Sequence, residues 1–181
     1  MRRRDALSTM SLISGGVLIL PQLALSGCNP EPYKYDLFNW GDTELLNEIA
    51  ETILPATPEV PGAKAANVGE FVQIHVTNCF SEADKNTFLE GFQKFKTEVK
   101  EKYGSNFISL TDEQKKEIIS VQESELPSKE RPDNFYQLLK GTILFGYFTS
   151  EAGATKALRY VPIPGYQKGE IPYNGEPAWA L

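Results

Sequence analysis

Apolar positions recur at helical spacing along most of this chain, and no stretch alternates convincingly at period two. Leu45, Leu46, Ile49, Ala50, Ile53 and Leu54 form a first stripe, which Pro55 ends. Asp42 or Thr43 is the expected cap at its start. Ala56 to Ala66 (ATPEVPGAKAA) reads as a proline- and glycine-containing loop. A second helix is expected from about Asn67 to Phe80, with Val68, Phe71, Val72, His75, Val76, Cys79 and Phe80 on one stripe. Ser81, followed three residues later by Asp84, marks the start of a third. Its face is Phe88, Phe92, Phe95, Val99 and Tyr103, an aromatic row suited to a bundle core, and Gly104 closes it.

Thr111 with Gln114 is another capping box, opening a shorter helix to about Glu125 with Ile118 and Ile119 facing inward. Pro127 to Pro132 is a charged loop. A fifth helix is predicted from about Asp133 to Ser150. Its apolar residues, Phe135, Leu138, Leu139, Ile143, Phe145 and Phe148, lie nearly all round, implying deep burial or contact with another protein. Glu151 to Arg159 continues or restarts helix. The expected fold is all-α, an irregular bundle of five to six helices. The last twenty-one residues change character (VPIPGYQKGEIPYNGEPAWAL). They are too apolar for a typical disordered tail and read as an extended Pro/Gly/aromatic arm, packed on its own bundle or on a partner.

The first residues follow different rules. Arg2, Arg3 and Arg4 precede an apolar run from Leu12 to Leu25 that is softened by glycines and interrupted by Pro21. A membrane-spanning helix needs roughly 20 apolar residues, so this shorter run reads as a removable signal. Leu25-Ser26-Gly27-Cys28 has the form of a lipobox, at which cleavage exposes Cys28 for acylation. Arg3 and Arg4, followed by Asp5-Ala6-Leu7, resemble a twin-arginine export motif; an ordinary arginine-rich secretory start is the other reading. The expected organisation is a signal peptide over 1–27, a lipidated tether over 28–41, a helical domain over 42–160 and the arm over 161–181. The expected location is the periplasm, lipid-anchored to a membrane.

Charge narrows the partners. The whole chain carries a net charge of −6. Without residues 1–27, 15 basic and 23 acidic residues remain, a net of −8. An acidic body disfavours nucleic acid and anionic lipid, so membrane attachment rests on the lipid at Cys28. With Cys28 acylated, Cys79 stands alone and no internal disulfide can form. CxxCH, CxxC, GxSxG and a strand-borne GxGxxG are all missing from the sequence, so no haem, zinc, nucleophile-elbow or dinucleotide motif is visible.

The remaining candidates for chemistry are sparse. His75 and Cys79 stand four apart on one helix and could begin a metal or catalytic site. Both lie on the apolar stripe without a second histidine, so they read as core packing. Glu82 with Asp84, and Glu123 with Glu125, are paired acids at predicted helix ends, where solvation or capping is the simpler role. No catalytic, cofactor or metal residue is assigned to this chain. Tyr160, Tyr166, Tyr173 and Trp179 could form a sugar-stacking platform, but tyrosine and tryptophan are equally the anchors of protein interfaces. The interface reading is preferred.

Two segments carry a family resemblance. ETILPATPEVPGAKAANVGEFV (Glu51 to Val72) contains Thr52-Ile53-Leu54-Pro55 and Pro61-Gly62-Ala63. The closing segment EAGATKALRYVPIPGYQKGEIPYNGEPAWAL (Glu151 to Leu181) contains Tyr160, Pro162, Pro164-Gly165-Tyr166, Gly169, Pro172 and Trp179. Together they resemble the gluconate 2-dehydrogenase subunit 3 family. The resemblance implies a small, non-catalytic subunit of a periplasmic, membrane-bound sugar or polyol dehydrogenase. Its large partner would be an FAD-containing flavoprotein of the glucose–methanol–choline type, with a c-type cytochrome carrying haem c as electron acceptor. The small subunit of such complexes supplies the export signal for its partner. A free-standing carbohydrate-binding lipoprotein is the alternative.

Overall fold

A computed structural model describes residues 37–124, 134–163, 165, 170 and 172–180. The chain divides into residues 1–34, outside that description, and a compact unit over 35–181. The expected signal and most of the expected tether, including Arg3, Arg4 and Cys28, therefore lie outside the described residues, as do Tyr166 and the expected charged loop.

Among the described residues, five α-helices build the unit: α1 (Trp40–Ile53), α2 (Val68–Cys79), α3 (Glu82–Tyr103), α4 (Asp112–Ser124) and α5 (Phe135–Thr149). A 3₁₀ turn over Phe107–Ser109 joins α3 to α4, and a π-helical turn over Gly153–Ala157 follows α5. Among the described residues there is no sheet, and one isolated parallel bridge joins Arg159 to Trp179. The all-α expectation holds. None of the described helices is long and apolar enough to cross a membrane.

Capping chemistry sets several boundaries. Ser81 Oγ accepts the Asp84 N–H at 3.2 Å, as its spacing predicts. Thr111 and Gln114 form their reciprocal pair, with Gln114 accepting the Thr111 N–H at 3.0 Å. Gly104 ends α3 in the left-handed region at φ 66°. The start of α1 differs from expectation. Asn39, not Asp42 or Thr43, is the cap: its side chain accepts the Asp42 N–H at 3.1 Å, and Asp42 accepts the Asn39 N–H at 3.0 Å. Asp42 is instead buried, with one carboxylate oxygen 2.9 Å from Lys96 Nζ of α3.

The core is the convergence of four stripes. Leu45, Leu46, Ile49 and Ala50 of α1 meet Val68, Val72 and Val76 of α2. Phe88, Phe92, Phe95 and Val99 of α3 meet Phe135, Leu139 and Ile143 of α5. The α3 row is aromatic as expected, and Phe88 and Phe135 cross edge to face at 5.2 Å between ring centres. Helix α5 lies very close to its neighbours. A Cβ placed at Gly91 would stand 2.1 Å from Phe135, and one at Gly146 would stand 2.3 Å from Phe71.

Helix α2 sits in a different rotation from that expected. Its buried face is Val68, Gly69, Val72, Gln73 and Val76, leaving Cys79 exposed and Phe71, His75 and Phe80 half-buried. Polar partners on α1 explain this. Gln73 Nε2 donates to Thr43 Oγ1 at 2.8 Å, and the Gly69 N–H donates to Asn47 Oδ1 at 2.8 Å. The second bond matters because Asn67 makes no side-chain cap of its own. A long-range ion network adds to this frame. Glu48 of α1 lies between Lys64 of the first loop and Lys115 of α4.

Candidate partner-binding surface

The C-terminal arm leaves the bundle through a short polar device. Ser150 Oγ donates to the Tyr147 carbonyl at 2.6 Å and accepts the Gly153 N–H at 3.1 Å. The π-helical turn then carries the chain outward. From Arg159 to Trp179 every described residue is exposed. The option of an arm packed on its own bundle is therefore not what the described residues adopt.

The arm is tied to itself instead. The Arg159 N–H donates to the Ala178 carbonyl at 2.8 Å, and the Ala180 N–H donates to the Arg159 carbonyl at 3.0 Å. The Arg159 guanidinium lies 4.1 Å from the centre of the Trp179 ring, within cation–π range. Glu176 stands nearby. Hydrogen bonds from Asn174 and from its own backbone, with the Arg159 charge adding less, hold its carboxyl below the usual range. Tyr160 is 52% exposed, Ile163 84%, Tyr173 81% and Trp179 48%. The structure thus places three of the four aromatic candidates on one exposed segment.

A second aromatic group was only partly visible in the sequence. Phe71, His75 and Phe145 stack across α2 and α5, with ring centres 5.4 Å (Phe71–His75) and 5.7 Å (His75–Phe145) apart. Phe80 meets His75 edge-on at 5.6 Å. Phe145 is 54% exposed, so the broad apolar character of α5 is not all burial. His75 is a ring among rings, and Cys79 faces solvent rather than the core. Among the described residues no group of three or more His, Cys, Asp or Glu side chains is arranged to hold a metal ion.

The paired acids have local duties. Asp84 receives the Ser81 hydroxyl at 2.6 Å, and Glu82 pairs with Lys85 at 2.9 Å. Glu123 pairs with Lys140 and accepts the Tyr136 hydroxyl at 2.9 Å. Lys140 chiefly holds the Glu123 carboxyl low, whereas burial, with Glu123 beside it, pushes the Tyr136 hydroxyl well up. Glu125 lies outside the described residues.

The loop motif after α1 proves to be architectural. Glu51 accepts the Ala56 N–H at 2.9 Å through one oxygen and the Lys64 N–H at 2.8 Å through the other. The Ala63 N–H returns to the Leu54 carbonyl at 3.0 Å. Tyr147 of α5 donates to the Pro61 carbonyl at 2.6 Å. At Gly62 a Cβ would stand 2.2 Å from the Glu51 carboxylate, so a side chain there would dislodge the bond network. The acid at the helix end and the glycine packed against it fold this loop back onto α1.

Comparison with known families agrees with this geometry. A family model described as gluconate 2-dehydrogenase subunit 3 matches residues 41–165. The match takes in all five helices, the Glu51 loop and the start of the arm. No curated protein and no solved structure matches the chain.

Proposed function

The chain belongs to the gluconate 2-dehydrogenase subunit 3 family, and from that premise we propose that it is the accessory small subunit of an FAD-dependent, membrane-bound sugar dehydrogenase. In this reading it escorts, anchors and stabilises a flavoprotein of the glucose–methanol–choline type in the periplasm. FAD would reside on that large subunit and haem c on a cytochrome that takes the electrons. Arg3 and Arg4 would direct export of the folded pair, and the lipid on Cys28 would hold the complex at the membrane.

The observation that carries the docking role is the arm. Tyr160, Tyr173 and Trp179 stand exposed on a segment that leaves the bundle. Large aromatic anchors are the side chains that contribute most at protein interfaces. The decisive test exchanges Arg3 and Arg4 for lysine and follows the flavoprotein. It should remain in the cytoplasm. Normal periplasmic dehydrogenase activity in that variant would overturn the escort role.

The carbohydrate-binding alternative finds support in the exposed ring of Tyr173. Against it, Arg159 already covers one face of Trp179. Calorimetry on the isolated chain discriminates: micromolar sugar binding without a partner would favour the alternative.

A further inference from the structure

We propose that Trp40 is a membrane-contact residue: its indole rests in the headgroup layer of the bilayer that the lipid on Cys28 would enter, and the first turn of α1 faces that surface. The occupant is a phospholipid surface. This rests on the anchorage part of the reading above and not on the dehydrogenase partner.

The entry to α1 is firmly fastened and yet presents a bare ring. Phe38 turns inward, with its ring centre 6.2 Å from those of Phe88 and Phe92. Asn39 and Asp42 cap the helix reciprocally. Trp40 opens the helix between them and is 89% exposed, the highest value among the exposed large hydrophobic residues. Leu37, on the incoming chain, is exposed as well. A groove of about 310 Å³ beside this turn, lined in part by Asn39, Gly41 and Ile108, brings a further exposed apolar side chain, Ile108, to the same end of the bundle.

The chain itself argues for lipid as the occupant. Trp40 is the twelfth residue after Cys28. Whatever path those residues take, the two Cα atoms can stand no more than about 43 Å apart. A leash of that length keeps the ring at high effective concentration near the bilayer, so a contact too weak to hold a free protein is populated. Tryptophan suits the place, because its apolar body and single N–H favour the boundary between hydrocarbon and water. The acid of the first turn does not oppose it. Asp42 is buried and paired with Lys96 at 2.9 Å, so its carboxylate is withdrawn from the headgroups. The contact is therefore apolar and suited to neutral phospholipid.

The test reconstitutes the mature, lipidated chain in phosphatidylcholine vesicles whose acyl chains carry bromine near the headgroup end. The chain has two tryptophans, so Trp179→Phe leaves Trp40 as the reporter and Trp40→Phe leaves Trp179. Brominated lipid should quench Trp40 emission by at least about half and leave Trp179 nearly unchanged. Trp40→Phe should not shift the melting temperature, because the ring it replaces is exposed. Unquenched Trp40 overturns the proposal. Equal quenching of Trp179 does the same, since the tether alone would then bring any exposed ring to the lipid. Binding of the co-expressed large subunit should leave the quenching in place; its loss assigns this end of the bundle to the protein partner and overturns the lipid contact. Mass spectrometry of the same preparation reads acylation of Cys28. A chain without lipid there overturns the anchorage reading and the membrane contact together, whereas a lipidated chain with unquenched Trp40 overturns the contact alone.

Discussion

The carboxylate of Glu48 in α1 accepts a hydrogen bond from the Lys115 ammonium of α4 at 2.9 Å, and both side chains are largely withdrawn from solvent. Lys64 of the neighbouring loop pairs with the other oxygen. Removing the shared acid strands the nearly buried Lys115 ammonium and leaves Lys64 only its longer, 3.4 Å pair with Glu44. Glu48→Ala should therefore cost about 2 kcal/mol, between exposed and fully buried pairs. Lys115→Met removes the charge, keeps the volume and leaves Glu48 with Lys64; it should cost less than about 1 kcal/mol. Urea unfolding of both variants checks the ordering.

The same acid predicts a pH dependence. Burial alone would raise the Glu48 carboxyl, but hydrogen bonds and charge from Lys64 and Lys115 bring it below its ordinary value of 4.5. The unfolded chain then binds the proton more readily than the folded one. The contribution is complete above the ordinary value and is lost as pH falls through the lowered folded value. Stability measured from about pH 6 down to about pH 3 should fall less steeply in Glu48→Gln than in the wild type.

Two glycines in helices should respond in opposite directions. Gly91→Ala places a methyl against Phe135, 2.1 Å from its Cβ, and should cost about 1–3 kcal/mol through overpacking. Gly141→Ala meets nothing within 4 Å on an exposed face of α5. It should stabilise by about 0.5–1 kcal/mol, because alanine loses less freedom in a helix. Thermal unfolding of the pair separates close approach from helix propensity.

Cys79 should behave as a surface thiol. Cys79→Ser is expected to change stability by less than about 0.5 kcal/mol. In the native chain the thiol should react with a disulfide reagent without prior unfolding. A thiol that reacts only in denaturant would return it to the core.

Helix starts and the aromatic row were legible because their causes are local. Ser81 with Asp84, Thr111 with Gln114, and the spacing of Phe88, Phe92, Phe95 and Val99 act within a turn or along one face. The rotation of α2 was not legible, because its apolar residues surround most of the helix. The side facing inward is decided by Thr43 and Asn47 of α1, which capture Gln73 and the Gly69 amide. Asn39 was hidden as a cap because tryptophan and glycine follow it. The burial of Asp42 and Lys115 depends on partners more than fifty residues away. Within the candidate surface, the aromatic character of the arm was legible, but its exposure was not, because packing on the bundle was an open alternative. The partnership of Arg159 with Trp179 was not legible either, since nothing local pairs two segments twenty residues apart.

The hydroxyl of Tyr147 reaches the Pro61 carbonyl across 86 residues of chain. Helix α5, from which it extends, also supplies the packing partners of α2 and α3. During synthesis, then, the nascent chain has no finished interior, and its first loop lacks the Tyr147 bond, until α5 has cleared the ribosome. Translation of the last third acts as the commitment step of folding. A transcript truncated before residue 147 would release a chain whose helices α2 and α3 still display the faces that α5 was to cover.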